Sequence, residues 1–455
     1  MKILLAQNLI HLPSHGGANR SNRLLLEQLA ADGHSCHVVG PLTGALATHT
    51  PATAAPHTAA PHTPAGPGTP DADPAVAALR ARGAVLLADD PDAVVYRHRG
   101  VTVHAVRSAR LLPGRIRAVA AELDPDRTLV PSDDPGLVAL SAALAATPGR
   151  VVYLVHTLQQ LPFGPGAFYP SEAGTRMVRR AAGVLAVSRA AQEYVRAHAG
   201  LSAHLIHPQV YGPGPFPARG AFGRGAVTMV NPCGYKGLPI LLGLADTLPD
   251  VPFLAVPTWG TEPEELAELR RRPNITLTDP VDDIDELLRC TSVLLMPSLW
   301  DETFGYSCVE AMLRGIPVLA SALGGLVEAK LGVPGSLPVR PVTGYAARAG
   351  QARPTPLLPP QDLAPWRAAL LALLTDPDHY RDQAEASRAA AGAFVAGIDP
   401  GAFGRWLAEL AVDAPPRPAA EGPLDRAAAL RLLAARRAAR RPAPAAPDRE
   451  EPQPC

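Results

Sequence analysis

VLLMPSLWDETFGYSCVEAMLRGIPVLASALGGLVE, residues Val293–Glu328, decides how this chain is read. Val293–Met296 is an apolar run with the length and aliphatic make-up of a buried strand. Pro297 and Ser298 stop it, and a short loop, Leu299–Thr303, follows with two carboxylates, Asp301 and Glu302. From Phe304 to Arg314 the pattern is helical, with Gly315 placed as a left-handed C-cap, and Ile316–Ala320 reads as the next strand. The unit is therefore strand–helix–strand, with Glu302 before the helix and Glu310 inside it. Glu310 stands on an otherwise nearly apolar helix with Phe304, Val309, Ala311, Met312 and Leu313. A carboxylate buried there needs hydrogen-bond partners, because an unpaired buried charge costs several kcal/mol. Two readings follow. A vicinal diol presents two hydroxyl donors to the two carboxylate oxygens; alternatively Arg314, four residues on, pairs with Glu310 at the surface.

The surrounding chain has 455 residues, which exceeds a single core and predicts two α/β domains plus tails. Apolar content of 47% and zero formal net charge fit a globular protein with no demand for nucleic acid. No apolar run reaches membrane-spanning length, and Met1-Lys2 leads straight into the strand ILLA, with no signal peptide pattern. Five scattered cysteines (Cys36, Cys233, Cys290, Cys308, Cys455) form neither a CxxC nor a Cys/His cluster, which predicts a reducing, cytoplasmic setting and no structural zinc. Lysine occurs only at positions 2, 236 and 330.

The N-terminal stretch opens as strand Lys2–Gln7, loop Asn8–Ala18 and helix Arg20–Ala31, closed by Gly33 before a second strand, Cys36–Gly40. This is a Rossmann-like opening without GxGxxG, so a dinucleotide cofactor is not supported. Gly16-Gly17 leaves bare backbone N–H groups where phosphate or sugar hydroxyls can approach, or is simply a tight turn. Thr43–Pro74 is Ala/Pro/Thr/His low complexity and is expected to be a disordered insertion; nothing fixes a metal geometry for its His49, His57 and His62. Strands at Ala84–Leu87 and Val101–Val106 and a helix at Gly114–Leu123 follow. Later apolar strands end in polar residues at Ser132-Asp133, His156 and Ser188, and an open parallel sheet binds ligands beyond such ends. His156, before the loop Leu161–Pro165, is therefore placed to face a cleft. The Pro/Gly-rich segment His207–Phe222 marks a domain boundary. The second domain opens with strand AVTMV, loop Asn231–Gly237 and helix Leu238–Leu248. Lys236 stands at that helix N-terminus, where dipole, free N–H groups and ammonium act together on phosphate.

ETFG followed by EAM, with Glu302 and Glu310 separated by seven residues, then GIPVLAS and Gly324-Gly325, resembles the signature of glycosyltransferase family 4. The resemblance extends over about residues 1–40 and 80–410, with GG at Gly17, VH at His156, VS at Ser188 and KG at Lys236. It implies an α/β protein of GT-B fold, two facing Rossmann-like domains with parallel sheets and a cleft between them. The implied activity is retaining, metal-independent transfer from a nucleoside-diphosphate sugar to an acceptor, with no cofactor. Glu310 would take the ribose hydroxyls; Glu302, with the N–H groups of Phe304 and Gly305, would hold the sugar; Lys236 would neutralise the departing diphosphate. His156 would sit by the anomeric centre, and Gly17 would border the donor. The acidic pairs Asp89-Asp90, Asp133-Asp134 and Asp282-Asp283 read as turns and caps. Many family members carry an arginine in a GR pair shortly before the lysine. Here Val230-Asn231-Pro232-Cys233 stands instead, and Arg20 or Asn231 are the candidate substitutes.

The implied organisation is an acceptor domain over residues 1–210, a nucleotide-sugar domain over 224–395, and a returning helix over 396–412. The tail, 413–455, contains LDRAAALRLLAARRAARR (Leu424–Arg441), a basic helix candidate that points to protein docking, membrane-surface contact or a solvated tail. That tail and the missing arginine motivate the alternative of a non-catalytic or partner-dependent GT-B scaffold. The loops Asn8–Asn19 and Gln159–Ser171 are expected to recognise the acceptor, with Phe163, Phe168 and Tyr169 as an apolar face.

Overall fold

The computed structural model describes residues 1–14, 16–43, 73–346 and 353–411. Most of Thr43–Pro74, His15 and the tail with its Leu424–Arg441 helix candidate lie outside the described residues. Met1–Val412 forms one compact unit containing two open sheets.

The first half runs β1 (Lys2–Ala6), α1 (Gly17–Ala31), β2 (Ser35–Pro41), α2 (Pro74–Ala81), β3 (Val85–Asp89), β4 (Ala93–His98), β5 (Val101–Val106), α3 (Leu112–Leu123) and β6 (Arg127–Pro131). It continues through α4 (Val138–Ala146), β7 (Val151–Val155), α5 (Glu172–Val178), β8 (Gly183–Ala186), α6 (Arg189–Ala199) and β9 (His204–Leu205). The strand order is β3-β4-β5-β2-β1-β6-β7-β8-β9. From β5 to β9 every pairing is parallel, whereas β3–β4 and β4–β5 are antiparallel, so this sheet is mixed rather than purely parallel. The reason is local: Arg99 (φ 44°) and Gly100 (φ 81°) both adopt positive φ, the geometry of a two-residue hairpin that reverses β4 into β5. Alternation along β1 sends Leu4 and Ala6 to one face and Ile3 and Leu5 to the other, and helices bury both sets.

The second half runs β10 (Ala226–Val230), α7 (Leu238–Thr247), β11 (Phe253–Val256), α8 (Pro263–Arg270), β12 (Ile275–Leu277), α9 (Ile284–Leu288), β13 (Thr291–Met296) and α10 (Tyr306–Leu313). There follow β14 (Val318–Ser321), α11 (Gly325–Ala329), β15 (Ser336–Leu337), a small antiparallel pair β16 (Gly344–Ala346) and β17 (Thr355–Leu357), then α12 (Ala364–Thr375) and α13 (Pro377–Ala396). The sheet order is β12-β11-β10-β13-β14-β15, all parallel. Its two faces are buried by α7 and α12 on one side and α10, α11 and α13 on the other.

The last helix, α14 (Ala402–Glu409), packs on the first half. Phe403 and Leu407 join the core beneath β1, and Trp406 stacks on His204 with centroids 5.0 Å apart. Arg127 on β6 secures the helix end, donating from Nε to the Leu407 carbonyl (3.0 Å) and from Nη2 to that of Leu410 (2.6 Å). Strand order reverses at β1 in one sheet and β10 in the other, and ligands bind beyond strand C-termini at such points. Loops from these ends face each other: Gln159 Nε2 donates to the Asp301 carbonyl at 2.9 Å, and the Ser188 hydroxyl donates to the Thr303 carbonyl.

Candidate active site between the two sheets

One wall is built by the loops after β10 and β13. Gly237 adopts φ +90°, and a Cβ there would lie 1.9 Å from the Pro297 carbonyl oxygen, so only glycine lets the two loops meet. That contact brings Lys236 to Glu302: its ammonium and the Ser298 hydroxyl both donate to Glu302 Oε1. The ammonium also lies 4.6 Å from the centroid of the Trp300 ring. Burial pushes the Glu302 carboxyl up, but the Lys236 charge and the hydrogen bonds from Lys236 and Ser298 outweigh it and hold the group below the usual range. Gly305 precedes α10 with φ 118°, and neither its N–H nor that of Phe304 has an acceptor in the described residues. Those N–H groups and the helix dipole beside Glu302 make a polar pocket wall of mixed character.

Glu310 is buried on α10, 4% exposed, as a nearly apolar helix requires. Its partner is not Arg314. The Arg314 guanidinium makes a fork on Asp285, two bonds of 2.7 Å, and donates to the Glu310 backbone carbonyl at 2.9 Å. The planar fork matches a carboxylate's two oxygens, which is why it settles there. Glu310 instead pairs with Arg20, on α1 of the other half. Arg20 is therefore no free phosphate ligand in this structure. Asn231 is held from the neighbouring loop, its Oδ1 accepting the Gly260 N–H at 3.0 Å, while its buried Nδ2 has no partner among the described residues and is the donor left for a ligand.

The opposite wall holds His156, just beyond β7 and 92% buried. Its Nε2 lies 2.7 Å from Asn22 Oδ1, while Nδ1 has no partner. Burial alone pulls its pKa down to about 4, so the ring is neutral, protonated on Nε2 toward Asn22, with an open Nδ1 lone pair. Gly17 belongs to the first turn of α1 rather than to the preceding loop, and a Cβ there would come within 2.7 Å of the Tyr306 ring. Its role here is close approach between α1 and α10.

Among the acidic pairs, Asp90 accepts the Ala93 N–H at 2.8 Å, Asp134 accepts the Ala139 N–H at 2.6 Å, and Asp283 accepts the Asp285 N–H at 2.9 Å. These are turn and cap residues. Asp133 is not: it is buried in the wall that holds His156, bonded by the Thr157 hydroxyl at 2.6 Å. Phe163 departs from the expected acceptor face as well, because it is buried in the first core; Phe168 packs on Tyr235, Trp300 and Tyr345, and Tyr169 is exposed. Ser298, Trp300 and Asn22 escaped the sequence reading, and of these only Ser298 carried a usable signal, four residues before Glu302 at a strand end. Asp133 carries the strand-end signal, but its acidic pair reads as a turn or cap.

Glu328, at the end of α11, bridges the halves: its Oε2 accepts the N–H groups of Arg189 (2.8 Å) and Ala190 (3.2 Å) at the start of α6. With Arg20–Glu310, this ties the two halves together across the cleft.

Residues 235–376 match the family described as glycosyl transferases group 1. The chain is 39% identical over 90 residues to a 2-deoxystreptamine glucosyltransferase of Streptomyces kanamyceticus, covering 19% of this chain and 23% of that protein. It is 33% identical over 181 residues to a D-inositol 3-phosphate glycosyltransferase of Mycolicibacterium vanbaalenii, covering 32% of this chain and 40% of that protein. These matches thus span less than half the length of either relative. The structure of Anabaena HepE in complex with UDP and glucose superposes with a TM-score of 0.55 at 18% identity, over 90% of this chain and 98% of that one. The fold is GT-B.

Proposed function

We propose that this protein is a retaining glycosyltransferase that moves a sugar from a nucleoside diphosphate to an acceptor hydroxyl without a metal ion. The observation that carries the reading is the pair of carboxylates on one strand–helix unit, Glu302 and Glu310, each held by a cation delivered from another segment, Lys236 and Arg20. The group 1 match covers the segment containing Lys236, Glu302 and Glu310. The relatives' names and the UDP and glucose bound by the structural neighbour support sugar transfer from a nucleotide donor.

In this reading the ribose diol takes Arg20's place on Glu310, two hydroxyls to two carboxylate oxygens. Glu302 and the free N–H groups of Phe304 and Gly305 receive the sugar's hydroxyls. As the bond between the anomeric carbon and the phosphate oxygen breaks, negative charge grows on the diphosphate. Lys236 is the group aimed at it, since an ammonium has three donors and Glu302 uses one. The acceptor oxygen bonds to the anomeric carbon on the same face, and its proton leaves with the diphosphate. Neutral His156 offers a lone pair beside the reacting centre, fixed in orientation by Asn22.

The test is product analysis with the full chain and a panel of nucleotide sugars in the presence of a chelator. Transfer with the donor's anomeric configuration kept supports the reading; an inverted product refutes retention, and loss of turnover on chelation refutes metal independence.

A further inference from the structure

The wall opposite the two glutamates contains a carboxylate that the donor reading leaves unused. Asp133 follows β6, and His156 and Thr157 follow the neighbouring strand β7. The Ser132 hydroxyl accepts the N–H groups of both His156 and Thr157 at 3.0 Å, which locks the two strand ends together. On this floor Asp133 is 92% buried, and Thr157 satisfies only Oδ1. Oδ2 is enclosed and accepts nothing from the described residues.

Among the described residues its surroundings contain no counter-charge. Burial pushes its pKa up to about 6; the Thr157 hydroxyl and its own backbone N–H oppose this, and Asp134 adds to it. The hydroxyl of Tyr306, across the cleft on α10, feels the Asp133 charge but makes no hydrogen bond to it. Arg20 is committed to Glu310 and Lys236 to Glu302. The neighbouring His156 Nδ1 is a second enclosed acceptor without a donor. The floor therefore offers two open acceptor atoms, one on a carboxylate, and an uncompensated buried carboxylate is costly until a cation reaches it.

We infer that Asp133 binds the acceptor substrate, and that the acceptor carries a protonated amine: the ammonium donates to Asp133 Oδ2 and the His156 side of the floor, presenting a hydroxyl of the same molecule to the anomeric carbon. An ammonium supplies several donors together with the missing charge, whereas a lone hydroxyl donates once and an anionic acceptor meets the Asp133-Asp134 pair unfavourably. This rests on the glycosyltransferase reading above.

Calorimetry on the full chain saturated with nucleoside diphosphate tests it with three probes: glucosamine, glucose and glucose 6-phosphate. Glucosamine is expected to bind about 10- to 100-fold more tightly than glucose, as a charge-assisted hydrogen bond implies, and the phosphate more weakly than either. Asp133→Asn keeps the shape and the Thr157 bond. It is expected to erase the amine preference while nucleoside diphosphate affinity stays within error and the melting temperature does not fall, since the uncompensated charge is removed. Absence of glucosamine binding, equal binding of glucosamine and glucose, or a preference that survives in Asp133→Asn overturns the inference. If wild-type protein binds no nucleoside diphosphate, the glycosyltransferase reading itself fails.

Discussion

Replacing Arg20 by alanine separates two roles that one guanidinium holds in turn. In the free protein it occupies the Glu310 carboxylate that the proposed donor needs for its ribose. The pair is half-way between a surface and a buried ion pair, with side chains 34% and 5% exposed. Exposed pairs contribute up to about 1 kcal/mol and charge-assisted bonds about 1.5–3, so screening at the Arg20 end leaves about 1–2 kcal/mol. If the ligand must first break the pair, its apparent affinity is reduced by the fraction of molecules with Glu310 free, about 5- to 30-fold. Once displaced, the guanidinium is set free in the cleft next to the diphosphate. Titration calorimetry with a nucleoside and with its diphosphate isolates the two effects. Arg20→Ala should tighten nucleoside binding by about 5- to 30-fold. The diphosphate should gain less, because it also loses a cation. Unchanged or weakened nucleoside binding in Arg20→Ala would refute competition at Glu310.

Glu310→Ala should weaken nucleotide binding, whereas Glu302→Ala should mainly lower turnover or sugar selectivity; steady-state kinetics with calorimetry check both, and unaltered nucleotide affinity in Glu310→Ala removes the ribose role. His11 is buried with both ring nitrogens unpartnered, and burial pulls its pKa down to about 3. The unfolded chain then takes up a proton between pH 7 and 5 that the folded one refuses, so stability falls on acidification through the unfolded value of 6.5. His11→Leu should lessen that pH 7-to-5 loss by about 2 kcal/mol in denaturant melts; parallel curves would count against it. Arg127→Ala strips donors from two carbonyls at the end of α14 and should cost about 2–3 kcal/mol, read as a lower melting temperature.

The strand–helix–strand unit around Glu310 was legible because strand runs, a proline stop and a C-cap glycine are local signals. The element β4 was overlooked, although Arg99-Gly100 between two alternating runs is itself a hairpin signal. The partner of Glu310 was not legible. Sequence spacing nominates Arg314 four residues away, but Asp285 offers that guanidinium a better fork, and the actual partner lies 290 positions distant. Asp133 was hidden differently: an acidic pair after a strand looks like a cap, and here only its second member caps.

The return of α14 to the first half gives the chain two crossings between the halves, one after β9 and one after α13. Two tethers act as a strap: the halves can rock but cannot drift apart or twist freely. Reclosure is therefore an intramolecular event with a high effective concentration and little loop-closing entropy left to lose. Contacts as slight as one arginine on one glutamate can then govern whether the jaws stand open, and cutting the Arg127 anchor should turn a hinge into a loose joint.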